Sequence, residues 1–406
     1  MNKLTVKEID IKNKRVLIRV DYNVPLDDKG KITDDARIVK SLETLQYCLS
    51  KDAKVILMSH LGRPEGKVNP KFSLLPAAEH LGKLLKKKVK LLSNCVGPQV
   101  ESEVKTLKSG DVVLLENLRF HPEEEKNDPK FAKQLASLGE VFVNDAFGTA
   151  HRAHASTEGV TKYLPSVAGL LLAKEVTYFD KAITKPERPF ITILGGAKVS
   201  DKIKLIGNLL EKADMLLVGG AMAYTFYKVM GIKIGNSKFD PAGEEVAREA
   251  LEKSKRKKIP MIFPVDRVIA QKLEKGVPTK IVSGDIPDGW SGFDIGPDSR
   301  KAFKEHLCKA KTIVWNGPVG VFEIPPFDLG TKEIAEHLAT LKSATTIIGG
   351  GDTAAAIKLF GLEEKMSHVS TGGGASLEYL EGTVLPGVAA LMDKTKKTQA
   401  SLQTKA

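Results

Sequence analysis

At 406 residues the chain is too long for one ordinary hydrophobic core, so two domains are the expectation. Its 42% hydrophobic content is enough for packed globules, yet no apolar run approaches a membrane span. A formal net charge of +12 invites anionic partners, either nucleic acid or small phosphorylated molecules.

The opening MNKLTVKEIDIKNK is charged and lacks the apolar core of a signal peptide, so a cytoplasmic protein is expected, with no membrane partner. Cys48, Cys95 and Cys308 lie far apart and read as reduced thiols, neither a disulfide framework nor a zinc pair. The densest basic runs, Lys86–Lys88 and Lys253–Lys258, contain no interleaved aromatics. Without a platform on which bases could stack, nucleic acid is not the expected partner.

From the N-terminus, apolar strands alternate with helical patterns. Strands are predicted over Val16–Val20, Lys54–Met58, Val89–Leu92, Val112–Leu115 and Val141–Val143, with helical periodicity over 35–51 and 71–87. Alternation of this kind builds parallel βαβ units, and ligands of such sheets bind beyond the carboxyl ends of the strands. The residues at those ends share a chemistry. RVDYNVP supplies Asp21 and Asn23, and TDDAR places Arg37 at a helix start behind the capping candidates Thr33, Asp34 and Asp35. SHLGRP supplies His60, Gly62 and Arg63; ENLRF supplies Arg119; NDAFGTAHRAHAS supplies His151, Arg152 and His154. Converging guanidinium forks suit a ligand carrying carboxylate and phosphate. His151 and His154 lack the glutamate of a zinc motif and read as anion contacts or caps, and Glu123–Glu125 read as a solvated loop.

Leu164–Ile183 reads as one long amphipathic helix, and the proline-punctuated TKPERP after it marks the domain boundary. Strands resume over Phe190–Leu194, Met215–Val218, Pro260–Phe263, Lys280–Val282, Thr312–Trp315 and Thr345–Ile348, giving a second α/β unit. Here the strand exits are rich in glycine. In FITILGGAKVSDKI a strand breaks at Gly195-Gly196, a helical pattern starts at Ala197, and Lys198 and Lys202 lie four apart on one side of it. Close backbone approach, a helix start and two cations make a polyphosphate cradle. Other exits carry Gly219 and Gly220, Asn316, Gly317, Pro318 and Glu323, Gly349–Thr353, and Gly372–Gly374. Asp352 reads either as a partner for a nucleotide-bound Mg²⁺ or as a helix N-cap. A Walker loop is absent. The GxGxxA of Gly349–Ala354 fits a dinucleotide fingerprint, but no acid closes the strand near His368–Ser370 to hold a ribose.

The segments KRVLIRVDYNVP, SHLGRP, LLENLRF, NDAFGTAHRAHAS, ILGGAKVSDKI, IVWNGPVGVFE, IIGGGDTA and VSTGGGASLE, in this order from about residue 14 to 388, closely resemble the phosphoglycerate kinase family. Tyr22, where the family commonly has Phe, is a mild departure, and the polar tail from Lys394 looks particular to this chain. The resemblance implies an α/β fold of two Rossmann-like domains, each a parallel sheet flanked by helices, joined by a hinge helix. Residues 1–185 would bind phosphoglycerate, with 386–406 packing back on them, and 186–385 would bind the nucleotide. It implies reversible Mg²⁺-dependent phosphoryl transfer between 1,3-bisphosphoglycerate and ADP, giving 3-phosphoglycerate and ATP, by a cytoplasmic monomer. Asp21, Tyr22, Asn23, Arg37, His60, Leu61, Gly62, Arg63, Arg119 and Arg152 would form the phosphoglycerate site. Lys198, Lys202, Gly219, Gly220, Gly292, Asn316, Pro318, Glu323, Gly350, Gly351, Asp352 and Thr353 would form the nucleotide site, with Asp352 on the metal. Arg37, Lys198 and Lys202 would be catalytic.

Overall fold

A computed structural model describes residues 1–394, and the chain divides into two compact units. Residues 1–177, together with the segment from Val384, form the first, and residues 178–383 form the second. The helix Leu170–Thr184 contains the division.

The first unit is built on β1 (Arg15–Arg19), β2 (Lys54–Met58), β3 (Val89–Leu91), β4 (Val112–Leu114), β5 (Val141–Asn144) and β6 (Ser166–Ala168). All pair in parallel, in the order β3-β4-β2-β1-β5-β6. Val16, Leu17 and Ile18 of β1 and Val55, Ile56 and Leu57 of β2 are fully buried, as strands covered on both faces must be. β6 replaces the start of the single helix expected over Leu164–Ile183. Ser166–Ala168 pair with Phe142–Asn144, and the helix begins only at Leu170. Three residues of β-pairing are invisible in a periodicity set by the following fifteen-residue helix. From Val384 the chain returns to this unit: Met392 N–H donates to the Ser166 carbonyl, Leu4 N–H to the Met392 carbonyl, and Lys3 pairs with Asp393 at 2.7 Å.

The second unit carries β7 (Phe190–Leu194), β8 (Met215–Val218), β9 (Met261–Ile262), β10 (Asp266–Ala270), β11 (Lys280–Ser283), β12 (Ser291–Ile295), β13 (Thr312–Asn316), β14 (Thr345–Gly349) and β15 (His368–Val369). The parallel sheet runs β15-β14-β13-β7-β8-β9, with β7 and β13 buried along their whole length. The expected strand at Lys280 does not join it. β11 pairs antiparallel with β10, and β10 with β12, in a separate three-stranded sheet whose β10 and β12 were not expected as strands. A charged start, Asp266-Arg267, in one and a glycine at the second position, Gly292, in the other weaken the apolar signal of those two strands. Among the described residues no helix is long and apolar enough to cross a membrane.

In both parallel sheets the chain builds outward one way and then crosses back. The reversal falls between β1 and β5 in the first unit and between β7 and β13 in the second. Crevices open at such reversals, beyond the carboxyl ends of the strands.

Candidate active site

In the first unit, the exits of β1, β2 and β4 and one helix start are tied into a single polar set. Arg37, in the first turn of the helix Ala36–Ser50, donates through Nη1 to Asp21 Oδ1 at 3.0 Å and to the Asn23 carbonyl at 3.1 Å. Asn23 Oδ1 accepts from the Gly62 N–H at 2.9 Å, and the Gly62 carbonyl accepts from Arg119 Nη1 at 3.0 Å. Arg119 Nε also pairs with Glu125 at 3.2 Å. Gly62 has φ +64°, and the Phe72 ring leaves no room for a Cβ there. Arg63 and Arg152 are exposed. The side chains of Tyr22 and Leu61 belong to the core: Tyr22 is fully buried with its hydroxyl 2.9 Å from Ser41 Oγ, so only their backbone is available to a ligand. Asp35 occupies the N-cap position, but its carboxylate pairs with His80 at 2.8 Å, and Asp34 Oδ1 takes the Ala36 N–H instead.

The positive charge here belongs to the arginines. Burial, then the charges of Arg19, Arg119 and Arg37, hold the His60 pKa well below its usual value. Burial and Arg119 lower that of His154 to about 4. Glu123–Glu125 are not a solvated loop. Pro122–Glu125 form a helical turn, and Glu124 is wholly buried, accepting from the Ser156 N–H at 3.0 Å and from Ser156 Oγ at 2.5 Å. Three successive acids look solvated in sequence; only the fold reveals the buried Ser156 and Arg19 that face one of them.

In the second unit, the exits of β7 and β13 interlock. Gly195 N–H donates to the Asn316 carbonyl at 3.0 Å and Gly196 N–H to the Pro318 carbonyl at 2.9 Å, and a Cβ on Gly195 would run into that carbonyl oxygen. Gly220, after β8, donates to the Val319 carbonyl at 3.0 Å, and Gly219 packs on the Val319 side chain. Lys202 closes the knot: its Nζ donates to the Gly195 carbonyl at 2.8 Å, the Asn316 carbonyl at 3.0 Å and Asn316 Oδ1 at 2.7 Å. Desolvation lowers its pKa to about 8 against the favourable pull of Asp352 and Asp201. The helix expected from Ala197 begins later, as a 3₁₀ turn at Ser200–Lys202 and an α-helix from Ile203. Lys198 and Lys202 therefore do not share a helix face: Lys198 is exposed in the loop while Lys202 folds inward. Asp240, which accepts from Ser200 N–H and Oγ, fixes the loop in this form.

Two adjoining cavities open on this knot. The larger, about 390 Å³, is lined by Tyr224, Tyr227, Gly292, Phe293, Pro318 and Glu323 among others. The smaller, about 270 Å³, is lined by Lys198, Lys202, Asn316 and Gly350–Thr353. Gly196, Ala197 and Asp352 border both. A mostly apolar chamber beside a glycine-walled cationic one suits a base joined to phosphates. Asn316 Nδ2 is buried beside the smaller cavity with no hydrogen-bond partner, a donor in want of an acceptor. Asp352 lies in the first turn of the helix Gly351–Leu359 and is exposed; the N-cap position belongs to Gly350, at φ +87°. Thr353 Oγ1 accepts from the Gly317 N–H at 2.7 Å.

The phosphoglycerate kinase family model matches residues 6–383. The chain belongs to the phosphoglycerate kinase family. It is therefore a member of a kinase family. It is 53% identical over 401 residues to phosphoglycerate kinase from Fervidobacterium nodosum, covering 98% of this chain and 100% of that one. It is 55% identical over 400 residues to that from Thermosipho africanus, covering 98% and 99%. Among solved structures, phosphoglycerate kinase from Coxiella burnetii superposes with a TM-score of 0.88 at 42% identity, covering 97% and 99% of the two chains. That from Pyrococcus horikoshii gives 0.82 at 32% identity, covering 96% and 98%.

Sequence reasoning overlooked Arg19 and Glu124, which underlie the first basin. Arg19 did leave a signal: in RVLIRV it is a charge inside an apolar strand, and a buried charge must have partners.

Proposed function

We propose that the chain, as a cytoplasmic monomer, transfers a phosphoryl group reversibly between 1,3-bisphosphoglycerate and ADP, giving 3-phosphoglycerate and ATP. The observation that carries this reading is the division of chemistry between the two sites. Arginines around Asp21, Asn23 and Gly62 suit a small phosphorylated carboxylic acid, and a lysine–glycine cradle beside a base-sized cavity suits a nucleotide.

In the ATP-consuming direction the nucleophile is a carboxylate, ionised at neutral pH because such groups titrate near about 4, so no general base is required. The obstacle is charge. Two like charges 4 Å apart repel by about 1 kcal/mol in water and about 4 kcal/mol at an effective dielectric near 20, and several such pairs meet here. Arg37 and Lys198 are assigned to flank the transferred group, and Lys202 holds Asn316 and the Gly195 turn in the conformation that receives the phosphates. Mg²⁺ fits the donor set. Among the described residues no group of three or more metal-binding side chains occurs, while Asp352 offers one exposed carboxylate at the cradle. One carboxylate plus substrate phosphates and water is how this ion is usually held. When bound it would neutralise phosphate charge. Binding the two anions on separate units spares each the other's field, so transfer calls for the units to close with water excluded.

A coupled assay tests this: purified protein with 3-phosphoglycerate, ATP and Mg²⁺, the product drained by a dehydrogenase and NADH loss followed. Turnover that needs Mg²⁺ and vanishes in Lys198→Ala is expected. Folded protein without turnover would refute the proposed reaction.

A further inference from the structure

Arg19 ends β1 and is 1% exposed, a guanidinium enclosed by the first unit. Its fork reaches three partners. Nε donates to Ser156 Oγ at 2.9 Å, Nη1 donates to the Val20 carbonyl, and Nη2 lies 3.1 Å from His60 Nδ1. Behind Ser156, Glu124 accepts the hydroxyl proton at 2.5 Å, so a buried carboxylate backs the buried cation.

A guanidinium has only donors and keeps its charge throughout the accessible pH range. At the Arg19–His60 contact Nδ1 must therefore accept, which leaves the proton of the neutral ring on Nε2. Burial and the cations Arg19, Arg119 and Arg37 oppose a second proton. Nε2 has no hydrogen-bond partner among the described residues, and His60 directly precedes the Leu61-Gly62 turn whose amide meets Asn23.

We propose that Arg19 is a positioning residue that locks His60 as the Nε2–H tautomer, so that the ring presents a neutral N–H donor to an anionic oxygen of the bound phosphoglycerate. The proposal rests on the assignment of this basin to phosphoglycerate. The alternative tautomer would aim a lone pair at the anion and lose the bond. An ammonium in place of Arg19 would still face Glu124 but, as a point charge, could not hold Ser156, Val20 and His60 in one planar fork.

The test is a long-range ¹H–¹⁵N correlation spectrum of the His60 imidazole in the full-length protein, free and with 3-phosphoglycerate. The expected spectrum at neutral pH shows Nε2 protonated and Nδ1 not, with the Nε2–H resonance moving on addition of 3-phosphoglycerate. Arg19→Lys should mix the tautomers and raise the KM for 3-phosphoglycerate about ten-fold or more, the worth of one hydrogen bond to a charged group. The KM for ATP should stay unchanged. His60→Gln keeps a side-chain N–H without tautomers, so adding Arg19→Lys to it should raise that KM much less. An Nδ1–H ring in the wild type overturns the lock while leaving the basin assignment standing. So does a wild-type tautomer in Arg19→Lys, whatever its KM. An Nε2–H ring indifferent to 3-phosphoglycerate overturns the role together with the basin assignment. If Arg19→Lys does not fold, the wild-type spectra decide alone.

Discussion

Lys202→Met separates what this lysine does for stability from what it does for transfer, because the two depend on pH with opposite sign. Nζ is directed at three oxygens in the β7–β13 knot, and burial lowers its pKa from the ordinary 10.5 to about 8. Below about pH 8 the folded and unfolded chains both hold this proton, and the folded state bears the cost of a desolvated cation. Between about 8 and 10.5 the unfolded chain still holds it and the folded chain does not, so stability rises with pH at about 1.4 kcal/mol per unit. Over the whole interval the gain is about 3 kcal/mol, which Met, having no proton to lose, forgoes. Urea unfolding of both proteins from about pH 7 to about pH 11 reads the difference, with all other titrations cancelling. The wild type should gain on Lys202→Met across that range, while its kcat/KM for ATP falls as the ammonium of the free enzyme is lost near pH 8. A stability gap that is flat with pH would refute the buried-cation account. An alkaline fall in kcat/KM that persists in Lys202→Met would assign the activity change to another group.

Three further outcomes follow from the two sites. Arg37→Ala should lower kcat by at least about a hundred-fold while calorimetric ADP affinity changes by less than about two-fold, since Arg37 bonds Asp21 and Asn23 in the other unit. Asp352→Asn should raise the Mg²⁺ concentration needed for half-maximal rate yet leave thermal unfolding nearly unaltered, because its carboxylate is exposed. Glu124→Ala should cost about 3–5 kcal/mol in urea unfolding, because it strips the buried Arg19–Ser156 network of the carboxylate hydrogen-bonded to it. A loss below about 1 kcal/mol would show that Arg19 is compensated elsewhere.

By itself the sequence determined the two parallel sheets and which strand ends carry chemistry. Runs such as Phe190–Leu194 and Lys54–Met58 have the same bounds in the structure, because a strand covered on both faces is apolar at most of its buried positions. Arginines at one set of strand ends and glycines at the other are legible for the same local reason: backbone approach and guanidinium forks require those residue types. What needed the tertiary structure was everything set by a partner distant in the chain. β6 exists because Ser166–Ala168 meet β5, and the antiparallel sheet exists because β11 and β12 flank β10. Glu124 reads as solvent-facing until Ser156 and Arg19 come to it across the fold. Lys202 reads as a cation offered to solvent until Asn316, more than a hundred residues away, turns it inward. Local propensity and pattern extend over one helix turn or one strand. Burial of a charge is decided by whichever groups the folded chain brings against it.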